Sequence, residues 1–351
     1  MFEIVNSVYH ERRERIEPAT GATAERTVKR LNELADQPVG HAVRRRPRTV
    51  QPRPRRPAGA DPPVPVPRGG GPLPRAAPAS LPPSCDEAAS VVIELPSPGP
   101  SALARWFPGG APGLAALPEH VIATGGGRWW ADRAVAPKAV AVSSGDHLLL
   151  RGDPGALNPD ALAPFAGSYV EAPARFLPFL GGAFQRLDPW ERMVYVRSAA
   201  ATEARPAHGV TVRRLTPEDA PAVVALGPGA AWIHRTWGGP ERLASSGLCW
   251  GAFHRGRALS LACTYFLGSR YEDVAALAAP GHRRQHLALA CVTALCQDIE
   301  ARGRTASWTC SRDNRPSRLL AWSAGFRLTR EYVHYATGPA RSPALHKPQA
   351  A

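Results

Sequence analysis

Apolar residues fall into short runs, broken by Pro, Gly and Asp, over the stretch from about Ala88 to Ala200. Runs of this length predict strands, here in "SVVIEL", "KAVAVSSGDHLLLRGD" and "ERMVYVRS". Two segments that precede the last of these strands, "GALNPDALAPFAG" and "APARFLPFLGGAFQRL", are candidate short helices. The pattern therefore predicts a small α/β unit.

A second α/β pattern runs from about Val210 to Thr337. Its first strand leads into a helix that begins at Thr216, where Asp219 stands at the spacing of a capped helix start. A loop-rich helical stretch follows, and then three strands are predicted, at Gly247 to His254, Ala258 to Leu267 and Tyr271 to Ala279. The last strand, "YEDVAALAA", is a continuous small apolar run led by two acids, which is typical of a strand covered on both faces.

The clearest helical spacing follows that strand. Apolar residues recur at i, i+4, i+7 and i+11 from Ala288 to Ile299, which predicts a helix over 287–302 that Gly303 ends. A strand, "TASWTC", comes next, followed by a helix with Pro316 near its start and Gly325 after its end. A final strand, "REYVHYA", completes the unit.

The segment "APGHRRQHLA" joins the third of these strands to the long helix. The start of a helix has free backbone N–H groups and a positive dipole end, which together attract anions. Arg283 and Arg284 add charge there that suits a pyrophosphate. The alternative is that both arginines are simply solvated. Since cations oppose the dipole at a helix start, their placement favours a bound anion.

Composition and charge limit the class of protein and the number of domains. The formal net charge is +14 and 44% of the 351 residues are hydrophobic, which leaves room for about two domains. No uncharged apolar run reaches about 18 residues, and the start "MFEIVNSVYHERRERIEP" is charged where a signal peptide would be apolar. We therefore expect a cytoplasmic protein without a membrane segment.

The six cysteines form no CxxC pair and have no zinc-like spacing with histidine. They are Cys85, Cys249, Cys263, Cys291, Cys296 and Cys310. We therefore expect small buried thiols, which fit a reducing compartment, and no metal site.

Much of the positive charge lies between Val43 and Ser84, where nine arginines and thirteen prolines accompany one acid, Asp61. Such a segment buries too little apolar surface to offset its ordering entropy, so we expect disorder. One interpretation of residues 43–84 is that they contact a polyanion such as nucleic acid. The alternative is that they are a plain linker. Ahead of the segment, Val28, Leu31 and Leu34 predict one short helix within 23–37.

The order of elements from 210 to 337 resembles that of the GNAT superfamily of acyl-CoA-dependent N-acyltransferases. Two motifs carry the resemblance. The family's phosphate loop, R/Q-x-x-G-x-G/A, aligns with Arg283-x-x-His286-x-Ala288. The spacing of its later helix is matched by Asn314, Ser317, Leu320, Gly325 and Phe326. The resemblance implies an α/β (α+β) fold with a mixed central sheet flanked by helices.

The resemblance also implies that acetyl-CoA is a cosubstrate. Its pantetheine would lie along the backbone of the "YEDVAALAA" strand, where this strand and "TASWTC" splay apart, and its pyrophosphate would rest on N–H groups at the helix start. The residues so implicated are Ala276, Leu277, Ala278, Arg283, Arg284, Gln285, His286, Leu287, Ala288, Asn314 and Ser317. The family transfers the acyl group directly to an amine, so no nucleophilic cysteine is needed.

Direct transfer needs a base for the incoming ammonium. Glu272 and Asp273 are the candidates, and because strand residues alternate, one of the two can face the cleft. The alternative is a pair of solvated acids at a strand end. Tyr335, or the nearby Tyr332, is the candidate proton source at the sulfur.

The chain departs from the family's pattern at two positions. His286 stands where the family has a loop glycine, and Ala321 stands where it has a tyrosine acid. Glycine allows close backbone approach to a phosphate and an unrestricted φ, so histidine must turn its side chain away or bind the phosphate itself. Among non-glycine residues, histidine tolerates a positive φ better than β-branched ones.

We therefore expect five segments. They are a short helical segment 1–42, a disordered Pro/Arg-rich linker 43–85, a small α/β domain 86–205 that is a candidate degenerate copy of the same fold, a GNAT domain 206–340 and a disordered tail 341–351. The expected function is N-acetyl transfer to an amine of a small molecule or peptide. The alternatives are an inactive acyl-CoA-binding or regulatory protein, and a nucleic-acid-associated protein.

Overall fold

The computed structural model describes residues 92–96, 101–206, 208–282 and 286–341. Several predictions fall outside these residues: the N-terminal helix at 23–37, the basic segment 43–84, the loop positions Arg283, Arg284 and Gln285, and the tail beyond residue 341. The cofactor roles assigned to those three loop residues stay predictions.

Twelve strands in the described residues form one mixed sheet. They are β1 Ile93–Leu95, β2 Arg128–Ala131, β3 Ala139–Ser144, β4 His147–Gly152, β5 Tyr169–Glu171, β6 Leu187–Arg197, β7 Thr211–Arg214, β8 Cys249–His254, β9 Arg257–Leu267, β10 Tyr271–Ala278, β11 Thr305–Ser311 and β12 Phe326–Thr337.

Seven α-helices accompany the sheet in the same part of the chain. They are α1 Leu117–Thr124, α2 Leu177–Ala183, α3 Ala220–Val224, α4 Trp232–Arg235, α5 Pro240–Ser245, α6 Leu287–Ala301 and α7 Arg315–Ser323. Short 3-10 turns lie at Ser101–Trp106, Gly113–Ala116, Pro154–Ala156, Pro159–Phe165, Ala174–Phe176, Pro217–Asp219 and Pro228–Ala230.

Local signals in the sequence place most of these elements correctly. The predicted helix start at Thr216 is a capping box with Asp219, and Asn314 caps α7 by accepting a hydrogen bond from the Ser317 N–H. Among the two candidate short helices, the first is a pair of 3-10 turns, where Pro164 stands inside the second turn. Proline cannot donate to a helical ladder, so a regular α-helix does not form there.

The strand order departs from the order along the chain. It runs β1-β2-β3-β4-β5-β12-β6-β11-β10-β9-β8-β7, so β6 lies between β11 and β12 and is antiparallel to both. This strand comes from the first α/β segment, before the expected linker. The two segments therefore share one sheet, and the expected domain boundary near residue 205 stays a prediction.

The central strands separate at one point. The parallel pair β10 and β11 is in register from Tyr271 opposite Thr305 to Val274 opposite Trp308. Beyond it, β10 continues beside β9 and β11 continues beside β6. The edges of the two strands that face each other are therefore open after Val274, which confirms the splayed geometry expected for this fold.

The sheet also curves on itself. β4 and β9 are separated by five strands in the sheet order, yet the His147 ring of β4 lies 5.6 Å from the Phe266 ring of β9. Helix α1 occupies the concave side, where Leu117 and Val121 are fully buried with Trp129 and Phe266. This curvature brings side chains of the first segment to the splayed strands.

None of the helices that the structure describes is long and apolar enough to span a bilayer.

Candidate functional site

A cavity of about 140 Å³ opens where β10 and β11 separate. The second segment supplies most of its lining, and the first segment supplies the rest. Its lining includes Asp146, His147, Trp190, Arg192, Trp232, Tyr265, Asp273, Ala276, Thr309, Asn314, Ser317, Tyr332 and His334. Its position at the splay matches the place expected for the thioester.

Asp273 is the acid that faces the cavity. Its side chain is buried, and its Oδ1 accepts hydrogen bonds from Ser307 Oγ at 2.9 Å and Thr309 Oγ1 at 3.1 Å. Burial raises the pKa of the Asp273 carboxyl to about 6, although these two hydroxyls favour its charged form. A carboxyl that titrates near neutral pH is suited to accept a proton from an ammonium group.

Glu272 lies on the opposite face of β10. It is fully buried, and its carboxylate accepts hydrogen bonds from Arg302 at 2.8 Å, from Arg304 at 3.1 Å and from Thr264 at 2.5 Å. The structure thus places one of the two candidate acids in the cavity and holds the other in an ion-pair network. Neither is a solvated acid at a strand end.

The side of the cavity where the cofactor residues were predicted is formed by backbone and small side chains. Ala276 lines the cavity, while Leu277 and Ala278 continue β10 along the open edge and pair with β9 on their other side. Asn314 and Ser317 also line it, and Ser317 Oγ accepts a hydrogen bond from the Trp308 indole N–H at 3.1 Å. The structure therefore places these five predicted residues on both sides of the splay, three on β10 and two at the start of α7, the helix that follows β11.

His286 adopts the conformation that its place in the motif requires. It is the residue before α6 and has φ 57°, in the left-handed region that glycine would adopt easily. Helix α6 then begins at Leu287, so the first N–H groups of the helix, including that of Ala288, point toward the loop. Among the described residues of this motif, His286 thus has the left-handed backbone conformation, and the helix begins directly after it.

Of the two C-terminal tyrosines, the structure brings Tyr332 to the cavity. Tyr335 is an odd number of positions away on β12 and pairs with Val170 of β5, so its side chain is on the other face. Tyr335 therefore does not line the cavity, so its position does not support the proton-donating role predicted for it. Ala321, at the place of the family's tyrosine, is fully buried in the core.

Sequence reasoning did not identify the contribution of the first segment to the site. Asp146 and His147 at the start of β4, and Trp190 and Arg192 of β6, line the cavity, although the sequence predicted those segments only as strands. No motif marks these residues, because they come together through the sheet order. Burial lowers the pKa of His147 to about 3, so its ring is neutral near pH 7.

Two tryptophans in the loop-rich helical stretch before β8 differ in position. Trp232 lines the cavity and its ring lies 5.8 Å from the ring of Tyr265. Trp237 is buried in the core, where its indole N–H donates to the Thr264 carbonyl at 2.8 Å. Trp237 is therefore structural, whereas Trp232 is part of the cavity wall.

A GNAT acetyltransferase family model matches residues 204–335. The chain is also similar to a Streptomyces virginiae protein described as an uncharacterized N-acetyltransferase in the mutA 5' region. The two are 60% identical over 212 residues, which are 60% of this chain and 90% of the relative.

The fold is similar to that of a solved structure, the GCN5-related N-acetyltransferase-like protein from Streptococcus suis 89/1591. The TM-score is 0.53 at 17% identity, over 68% of this chain and 97% of that one. This likeness confirms the mixed α/β fold, and the Streptomyces relative confirms the resemblance that the motifs suggested. The chain therefore belongs to the GNAT acetyltransferase family and is an acyltransferase.

Proposed function

We propose that this protein transfers the acetyl group of acetyl-CoA directly to an amine of a small molecule or peptide. The observation that carries the proposal is the separation of β10 from β11 after Val274, which opens onto a cavity that contains the buried carboxyl of Asp273. A thioester bound between the two separated strands would lie next to the carboxyl of Asp273, which projects from β10.

The residues present fit acetyl-CoA as a cosubstrate. The open backbone edge of Ala276, Leu277 and Ala278 offers peptide groups to an extended pantetheine, as an added strand would use them. The start of α6 at Leu287 offers N–H groups and a positive dipole end to a pyrophosphate. Arg283 and Arg284, outside the described residues, are proposed to add charge there.

Asp273 acts as the base in this proposal. It takes one proton from the ammonium group and passes it to solvent, which leaves a neutral amine. The amine nitrogen then forms a bond to the thioester carbon as the carbon–sulfur bond breaks. The second proton passes from the attacking nitrogen to the leaving sulfur, directly or through water, so the reaction does not need Tyr335.

Two measurements on the full-length protein test the proposal. Calorimetry with acetyl-CoA should show binding, and thiol release with a panel of amines should show transfer. Asp273→Asn should lower the rate of thiol release by about 100-fold or more with unchanged acetyl-CoA affinity, because general-base catalysis contributes about that much. The matched control Asp160→Asn changes an exposed acid and should leave both measurements unchanged. No acetyl-CoA binding, or full activity in Asp273→Asn, would contradict the proposal.

The basic segment 43–84 is proposed to contact a polyanion weakly. Deleting it should lower the affinity for DNA and reduce the dependence of that affinity on salt. Unchanged DNA binding after the deletion would contradict this. The five described cysteines are free and buried, which supports the proposed cytoplasmic location.

A further inference from the structure

Four side chains that line the cavity have buried polar atoms without a hydrogen-bond partner among the described residues. They are Arg192 at Nε, Tyr332 at its hydroxyl, His334 at both ring nitrogens and His147 at Nδ1. Buried polar groups are nearly always paired, so an unpaired group in a cavity points to a ligand or water. The His334 side chain is the most buried of the four, with 1% of its surface exposed.

The register of β6 and β12 brings three of these side chains together. Arg192 is directly opposite Tyr332, and Trp190 is directly opposite His334, two positions further along the same face. The Tyr332 and His334 rings lie 5.0 Å apart. The Arg192 Nε–H, the Tyr332 hydroxyl and the one N–H of a neutral His334 ring are thus neighbouring donors on one face of the sheet, and such donors fit the oxygen atoms of an anion.

The charge of this cluster suits an anion with a single negative charge. Burial holds the pKa of His334 well below its usual range, and it lowers the pKa of His147 beside it to about 3, so both rings are neutral. Among the described residues that line the cavity, Arg192 is then the one arginine or lysine.

The other charged groups nearby have partners. Asp146 is ion-paired with Arg235, and Arg330 lies over the Tyr332 ring at 5.0 Å. Arg192 stacks on the Trp190 ring at 4.5 Å, which orients the guanidinium without using its hydrogen-bond donors. Arg192 forms no ion pair within 4.0 Å among the described residues, although its charge also acts on Asp273 across the cavity, and its Nε–H remains available to a ligand.

The anion site lies one short molecule away from the base. Ser311 is directly opposite Arg192, so Thr309, which donates to Asp273, is a diagonal neighbour of Arg192. Diagonal neighbours on antiparallel strands have backbone positions about 7–8 Å apart. Arg192 and Asp273 both line the same cavity from these neighbouring strands, so the space between them admits a small molecule that has an amine at one end and an anion at the other.

We infer that the acetyl acceptor is a free amino acid or a close analogue, with its carboxylate bound by Arg192, Tyr332 and His334 and its amine facing Asp273. The inference rests on the proposed acetyl transfer, which it makes more specific. Trp190, Trp232 and Tyr265 line the space around these polar groups and would contact an apolar part of the acceptor. The residues of the first segment are thus specificity determinants.

The inference can be tested by binding as well as by turnover, using the full-length protein. The ligands are the protein amino acids and their carboxamides, which differ in the charge of one group. Calorimetry measures their affinity for the wild type in the presence of coenzyme A, and thiol release from acetyl-CoA measures transfer. We expect at least one amino acid to bind about 10-fold or more tightly than its amide, since a hydrogen bond to a charged group is worth about 1.5–3 kcal/mol.

Variants of Arg192 test whether this residue causes the preference for an amino acid over its amide. Arg192→Met should reduce the ratio of acid to amide affinity to near one with unchanged acetyl-CoA binding, and Arg192→Lys should retain part of the ratio. The matched control is Arg312→Met, which removes an arginine that is ion-paired with Glu191 and Glu331. It should keep the full ratio, and melting temperatures identify any variant that fails to fold.

The outcomes separate the two proposals. If amides bind and are acetylated as well as the acids, or if Arg192→Met retains the preference, the carboxylate site is refuted while acetyl transfer stands. If an amino acid binds better than its amide through Arg192 and no amine gives thiol release, the site is supported while the proposed transfer fails.

Discussion

Glu272 and Asp273 are neighbours in the chain, yet they have different roles because strand residues alternate between faces. Glu272 enters a network with two arginines, and Asp273 enters the cavity beside two hydroxyls. The same principle separates Tyr332 from Tyr335 on β12. Which residue of each pair faces the reaction depends on the register of the sheet.

The pH dependence of activity follows from Asp273. Its pKa is raised to about 6, so the carboxyl is protonated below that pH and cannot accept a proton. The value of kcat/KM should therefore rise with pH through about 6. A pH profile of thiol release measures this rise, which should be absent from the residual activity of Asp273→Asn. A flat profile from pH 5 to 7 would contradict the role of Asp273 as the base.

Glu272 is expected to affect stability. Glu272→Gln leaves Arg302 and Arg304 with a weaker, neutral partner, so the free energy of unfolding should fall by about 2–4 kcal/mol. The control Glu300→Gln removes an exposed ion pair with Arg197 and should cost about 1 kcal/mol or less. Urea unfolding measures both. Equal losses would show that the buried network contributes no more than a surface pair.

The junction of β10 and α6 shows how the residue before a helix can keep a left-handed conformation when it is not the family's usual glycine. The strand ends at Ala278, and the helix begins at Leu287 with His286 in the left-handed region. Only the backbone conformation is needed to direct N–H groups at a phosphate, and histidine can adopt it at a modest energetic cost. Residue 286 therefore keeps a left-handed backbone conformation although the motif has a histidine there in place of glycine.

Substitutions of His286 distinguish backbone from side-chain binding. His286→Gly should leave acetyl-CoA affinity unchanged or tighter, because glycine adopts the same φ without a side chain. His286→Val should lower the free energy of unfolding by about 1–2 kcal/mol, because a β-branched residue is strained there. Ala294→Val, within the same helix, should cost about 0.7 kcal/mol or less. A large loss of affinity in His286→Gly would show that the imidazole itself binds the phosphate.

The position of β6 ties the two segments of the chain into one sheet. It pairs with β11 from Arg192 to Val196 and with β12 from Leu187 to Arg197. Without it, β11 and β12 would each lose a neighbour, and the donor cluster around Arg192 would not exist. The segment 204–335 that matches the family is thus complemented by a strand from outside the match.

Residues 204–351 alone should therefore fold poorly. The unpaired edges of β11 and β12 would expose backbone groups and apolar side chains, which favours aggregation. Circular dichroism and size-exclusion chromatography should show a loss of cooperative unfolding, and supplying residues 1–203 as a separate chain should restore it. A stable, monomeric fragment 204–351 would contradict this and would support the expected boundary at 205–206.

Sequence by itself determined the local elements and the family. Apolar periodicity located α6, the capping box at Thr216 located a helix start, and the motifs around Arg283 and Asn314 indicated the acyltransferase fold. These features depend on residues close together in the chain, so their physical causes can be read from local order. The tertiary structure decided which acid faces the cavity, that β6 separates β11 from β12, and that Arg192 and His334 meet. Those outcomes depend on strand register and sheet curvature, which arise from pairing between residues far apart in the chain.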